Sequence, residues 1–220
     1  MAQTRFSGPV KSDNGFEFDT ASQGTEVEGR MVWDSVNRTI DVGLGNGVSL
    51  QLGQEFLFIA RNNTSTTITN GTAVQFSGAI GNSGRITVEP ALASSGTPVE
   101  YFVGVATEDI AKNEDGLITY LGKVRGIDTR GGLENWQDGD LLYLSDSTAG
   151  ALTNVAPSTP SPDILVAAVV NAAPNGILLV RPTFPSSLGR ITDVLITNPQ
   201  DGDVLTYNAA GGYWVNQQPV

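Results

Sequence analysis

The chain of 220 residues carries 12 Lys plus Arg against 23 Asp plus Glu, a formal charge of −11, and contains neither His nor Cys. Without His it lacks the usual general base and the commonest transition-metal ligand; without Cys it lacks a thiol nucleophile, a disulfide framework and zinc-thiolate chemistry. The acidic balance repels phosphate backbones, so nucleic acid is not an expected partner, and no apolar stretch approaches the roughly 18 residues of a membrane helix. Carboxylate pairs and Lys or Tyr mechanisms are what remains of enzyme chemistry, and no cofactor is expected.

Residues 1 to about 30 are polar and rich in Gly, Ser, Thr and Glu, with Phe6, Phe16 and Phe18 as isolated anchors. Such a segment cannot bury a core of its own and is expected to dock on something else. Met1 to Phe6 holds no apolar stretch of a secretory signal. From Met31 the pattern changes to period two. Met31 and Trp33, then Ile40, Val42 and Leu44, flank the polar stretch 34–38, which predicts a hairpin with Trp33 in the core. Val48, Leu50 and Leu52 continue the alternation after a turn at 43–47, and Phe56, Phe58 and Ile59 follow. Turn signals recur every eight to twelve positions up to about residue 184, and no segment has helical periodicity. Pro182, Pro185, Ser186 and Ser187 mark a linker before a short C-terminal unit. The expectation is an all-β protein: short antiparallel strands in a β-sandwich or barrel-like module over 31–184, an extended arm over 1–30, and a linker with a small β-hairpin unit over 185–220.

Three stretches echo one another. Asp138-Gly139-Asp140-Leu141-Leu142-Tyr143, Asp201-Gly202-Asp203-Val204-Leu205-Thr206-Tyr207 and, more loosely, Asn70-Gly71-Thr72-Ala73-Val74-Gln75-Phe76 each read as a turn with a positive-φ Gly that launches a strand. Asp138/Asp140 and Asp201/Asp203 have the alternation of Ca²⁺ ligands, but neither pair has the further ligands of a calcium loop, so turn chemistry is expected and no metal. Glu108-Asp109 and Glu114-Asp115 offer the two acids of a glycosidase, without an aromatic platform beside them; a solvated loop is the expectation. Gly43, Gly45 and Gly47 precede a strand rather than the helix a phosphate loop requires. Trp136 and Trp214 sit beside turns.

The run Phe6-Ser7-Gly8-Pro9-Val10-Lys11-Ser12-Asp13-Asn14-Gly15-Phe16 resembles the opening of small virion proteins of tailed bacteriophages whose genes neighbour the major capsid gene. Residues 70–72, 102–106, 122–126, 139–144 and 167–170 together resemble the β modules of phage fibres and are similar in rhythm to capsid cement proteins. Ile191-Thr192-Asp193-Val194, with residues 198–208 and Tyr213-Trp214-Val215, resembles a unit that recurs in tail-fibre proteins of tailed phages, cyanophages among them. The resemblance implies a non-catalytic structural protein on the virion exterior, assembled in the host cytoplasm. It implies a homo-oligomer, a trimer in such proteins, attached at its N-terminus to the major capsid protein or a tail component through Phe6, Pro9, Val10, Phe16 and Phe18. Tail fibres usually extend past such a unit into a receptor-binding tip, whereas this sequence stops at Val220, which favours capsid decoration or a head fibre. The alternatives are a tail-fibre subunit in host adhesion and a carbohydrate-binding or carbohydrate-active protein that meets host surface glycan.

Overall fold

The structure, a computed structural model, describes residues 13, 15–20, 27–94, 96, 98–186 and 188–219. Among them there is no α-helix; apart from three single 3-10 turns, the regular structure is strand. The chain begins with a meander of β1 (Met31–Asp34), β2 (Thr39–Gly45) and β3 (Val48–Gln51). Its first turn is organised by Asp34, whose Oδ1 accepts the amides of Val36 (2.8 Å) and Asn37 (3.0 Å). Its second is the two-residue Asn46-Gly47 turn, with φ of 50° and 75°, the geometry whose twist matches the strands it joins.

Next come β4 (Phe56–Asn62), β5 (Ala73–Ile80), β6 (Arg85–Pro90), β7 (Phe102–Ala106) and β8 (Asp115–Ile127). They pair in the order β8-β4-β6-β5-β7, and β7 returns to β8, so that five strands close into a barrel. The closure is tight: a Cβ on Gly104 of β7 would lie 2.4 Å from the Thr119 carbonyl oxygen, and the Gly104 φ of 145° favours glycine. Two details depart from the sequence expectation. β4 and β6 run parallel, and β8 is 13 residues long rather than short. The length has a purpose. The first half of β8 pairs with β4 and β7, and the half after Gly122 pairs with β12 (Gly176–Thr183), carrying the sheet outward through β11 (Leu165–Asn171), β9 (Leu141–Leu144) and β10 (Leu152–Thr153).

Two apolar cores result. Ala60, Val74, Val88, Ala106 and Ile118 fill the barrel with Ile68 and Ile110, which bridge across its end. Ala73, Val105, Phe102, Val124, Leu142, Leu144, Val166 and Leu178 fill the space between the barrel and the outer sheet. The neighbours Ala73 and Val74, like Val105 and Ala106, therefore serve different cores. After β12, a three-stranded sheet of β13 (Val194–Leu195), β15 (Tyr213–Gln217) and β14 (Val204–Asn208) ends the chain, with β13 parallel to β15.

Candidate functional site

The meander is attached to the barrel the opposite way round from its sequence pattern. Register places Thr39, Asp41, Gly43, Ser49 and Gln51 on one face, and Met31, Trp33, Ile40, Val42 and Leu50 on the other. The polar face is the one that packs inward: Thr39, Ser49 and Gln51 are 7%, 8% and 4% exposed. The apolar face is half-buried at Trp33, Ile40, Val42 and Leu50, and Met31 is exposed. Trp33 belongs to neither core, which corrects its expected place; period two separates the faces of a strand but does not say which of them the fold covers.

A charged junction turns the polar face inward. Glu55, buried, accepts hydrogen bonds from the amides of Gln51 (3.1 Å) and Lys123 (3.2 Å) and from Arg125 Nη2 (2.9 Å). Arg125 also donates to Gln51 Oε1 at 2.9 Å, and Lys123 Nζ donates to Asn37 Oδ1 at 2.9 Å. Gly122 makes room for this: a Cβ there would lie 2.6 Å from Glu55 Cγ. At the far end Asn46 Nδ2 donates to Glu108 Oε2 at 2.6 Å. The buried acids Glu55 and Glu108 both have partners, as buried charge requires.

Of the residues expected to attach the protein, Phe6, Pro9 and Val10 lie outside the described residues. Phe16 and Phe18 lie in the stretch 15–19, which has no regular secondary structure, Phe16 at 70% exposure and Phe18 half-buried. Among the candidates for chemistry, Glu108, Asp109, Asp115 and Asp138 are occupied structurally. Glu108 is buried, its Oε1 taken by the Leu117 amide at 2.8 Å, so the expected solvated loop holds a buried acid and, in Ile110, a buried plug. Asp109 accepts the Asn70 amide at 2.8 Å, and Asp115 pairs with Arg61 at 2.6 Å and Arg85 at 3.3 Å, which hold its carboxyl below the usual range. A cleft of about 820 Å³ beside Glu108 is lined by Asn46, Asn70, Asp109, Arg125 and Asn175 and by no aromatic ring. Asp138 accepts the Ala172 amide at 2.6 Å, and among the described residues no group of three or more acids is placed to hold a metal ion. Trp136 packs on the outer core and donates to Glu134 at 2.6 Å.

The geometry is a closed β-barrel that carries a polar-docked meander, with Glu108, Asp109, Asp115 and Asp138 committed to hydrogen bonds and ion pairs. A family model for phage cement proteins matches residues 53–181, and the chain belongs to that family. It is a structural protein of the phage virion, on the capsid exterior. The match spans the barrel and the outer sheet; the meander and the C-terminal sheet lie outside it. Among solved structures, the head fibre gp8.5 N base of bacteriophage phi29 is similar at 16% identity and a TM-score of 0.35, covering 60% of this chain and 99% of that one. No curated protein matches the chain.

Proposed function

We propose that the chain is a passive, non-catalytic cement that joins the capsid surface through its N-terminal third and acts as a homotrimer. In this reading residues 1–30 are the attachment arm, 31–184 the rigid body and 185–220 a linked C-terminal unit. The observation that carries it is the outward apolar face of the meander, where Met31, Trp33, Ile40, Val42 and Leu50 share one side of a sheet whose polar side is already used. Contiguous apolar patches of this kind mark interaction surfaces, and aromatic anchors supply much of the energy of such contacts. Phe6, Pro9, Val10, Phe16 and Phe18 are the anchors of the arm in this reading. Reinforcement then comes from buried interface area: what binds the assembled shell and not its dissociated parts stabilises the shell.

The family places the protein among capsid components, and the major capsid protein is the partner we infer. Copy number separates the capsid role from a tail fibre: copies that follow shell symmetry support it, and a few copies confined to the tail overturn it. The attachment surface is tested by particles assembled with Phe6→Ala together with Phe16→Ala, and separately with Trp33→Ser. Reduced incorporation with an unchanged far-UV spectrum of the free chain is expected; wild-type incorporation of both variants would refute the assignment.

A further inference from the structure

The echo between the two Asp-Gly-Asp stretches is a repeated structural unit, and it extends upstream of the echo itself. Asn135-Trp136-Gln137-Asp138-Gly139-Asp140 and Asn198-Pro199-Gln200-Asp201-Gly202-Asp203 are bonded alike. In each, an Asn of positive φ (51° and 43°) begins the turn and a Gly of positive φ (92° and 85°) closes it. The Gln amide donates to the second Asp at 3.0 Å in both, and the Gln side chain donates to the two carbonyls before it at 3.0–3.1 Å in both. Each unit then launches a strand that forms an antiparallel pair with the next, β9 with β10 and β14 with β15.

The two copies differ in what covers them. Two and four residues after the second Asp stand Leu142 and Leu144 in the body, at 0% and 1% exposure, and Leu205 and Tyr207 in the C-terminal sheet, at 41% and 52%. In the body β11 pairs with the outer edge of β9; in the C-terminal sheet β14 is the edge, and among the described residues no strand pairs with its outer side. Leu205, Tyr207, Trp214 and Val194 share one face by register, and the Tyr207 and Trp214 rings meet at 5.4 Å. None of the described residues from 184 to 219 is buried. Units below about 40 residues usually need a disulfide, a metal or oligomerisation to fold, and this chain has no Cys.

We infer that the C-terminal sheet is half of a core, completed by the same sheet of other copies of this chain around a symmetry axis. The area favours a second copy over a separate protein. At about 4.8 Å between strands and 3.3 Å per residue, one face covers roughly 250 Å², far below the about 800 Å² each partner contributes to a standard interface. A free partner is not held by so small a face. In the homo-oligomer proposed above, copies present it to one another at high effective concentration, and closed symmetry covers the same patch in every copy. This inference rests on the homo-oligomer of the proposed function and locates one of its contacts.

Because the chain has no Cys, Leu205→Cys introduces its single thiol. Oxidation of the full-length variant is expected to yield a covalent dimer of this chain on a non-reducing gel, while Leu133→Cys, on a fully exposed turn of the body, is expected to yield none. Sedimentation of full-length Tyr207→Glu is expected to show self-association at least tenfold weaker than wild type, with the far-UV spectrum retained. A wild-type chain that sediments as a monomer would overturn the oligomer and this contact together. An oligomeric wild type whose Leu205→Cys stays uncrosslinked, and whose Tyr207→Glu keeps the same mass, would overturn this contact alone.

Discussion

Arg125 of β8 reaches the carboxylate of Glu55 across a gap of 2.9 Å, and the Glu55 side chain is only 2% exposed. This is the joint between the meander and the barrel, and removing one partner from a buried pair leaves the rest unpaired. Glu55→Ala also orphans the amides of Gln51 and Lys123. We expect a loss of about 2–4 kcal/mol in chemical denaturation. A change below about 0.5 kcal/mol would show that the meander does not depend on this joint.

The barrel closes at Gly104, where a side chain meets the Thr119 carbonyl at 2.4 Å. Backbone cannot yield as a flexible side chain does, so Gly104→Ala is expected to cost about 2–3 kcal/mol and to speed amide exchange along β7 first. Exchange unchanged at β7 would mean that the two strands separate without penalty.

Ile110 is 1% exposed and plugs the barrel end against Ile68. Ile110→Ala removes apolar contact and leaves a cavity, for an expected loss of about 3 kcal/mol. Ile110→Val is expected to cost about 1 kcal/mol, and equal losses for the two would argue that the end of the barrel refills.

Asp203 is held below its ordinary 3.8 first by the Gln200 amide, then by Asn216 and Gln218. A carboxyl depressed in the folded state contributes stability in full above 3.8 and loses it as pH falls through the folded value. The emission of Trp214, taken as the difference from Trp214→Phe, is expected to stay flat from neutral pH to 4 and to change below 3.8. Asp203→Asn is expected to abolish that acid step, and the same step in the variant would assign it to another carboxyl.

Local chemistry was legible in the sequence and long-range pairing was not. Asp34 at a hairpin turn, Asn46-Gly47, and the Gly of positive φ before β5, β9 and β14 all act within a few residues of themselves, so their reading needs no partner strand. The return of β7 to β8 depends on Gly104 meeting Thr119, and the burial of Glu55 depends on the opening at Gly122; neither contact has a local signal. Alternation at Leu50 and Leu52 marked the two faces, but the junction with Arg125 covered the polar one, and Val48 beside the turn is buried as well. For the proposed attachment surface, the sequence singled out the Phe residues of the arm, while the apolar face of the meander emerges only when Gln51 and Ser49 are seen to point inward.

Crowding gives the closed barrel a further consequence. Copies on a shell stand at local concentrations far above those of free solution, where an unpaired strand invites endless addition of neighbours. Once β7 has returned to β8, the terminal strand of the nine-stranded order is β10, and β10 is two residues long. At that end a neighbouring barrel finds only two residues to pair with, which limits growth of the sheet from one copy into the next.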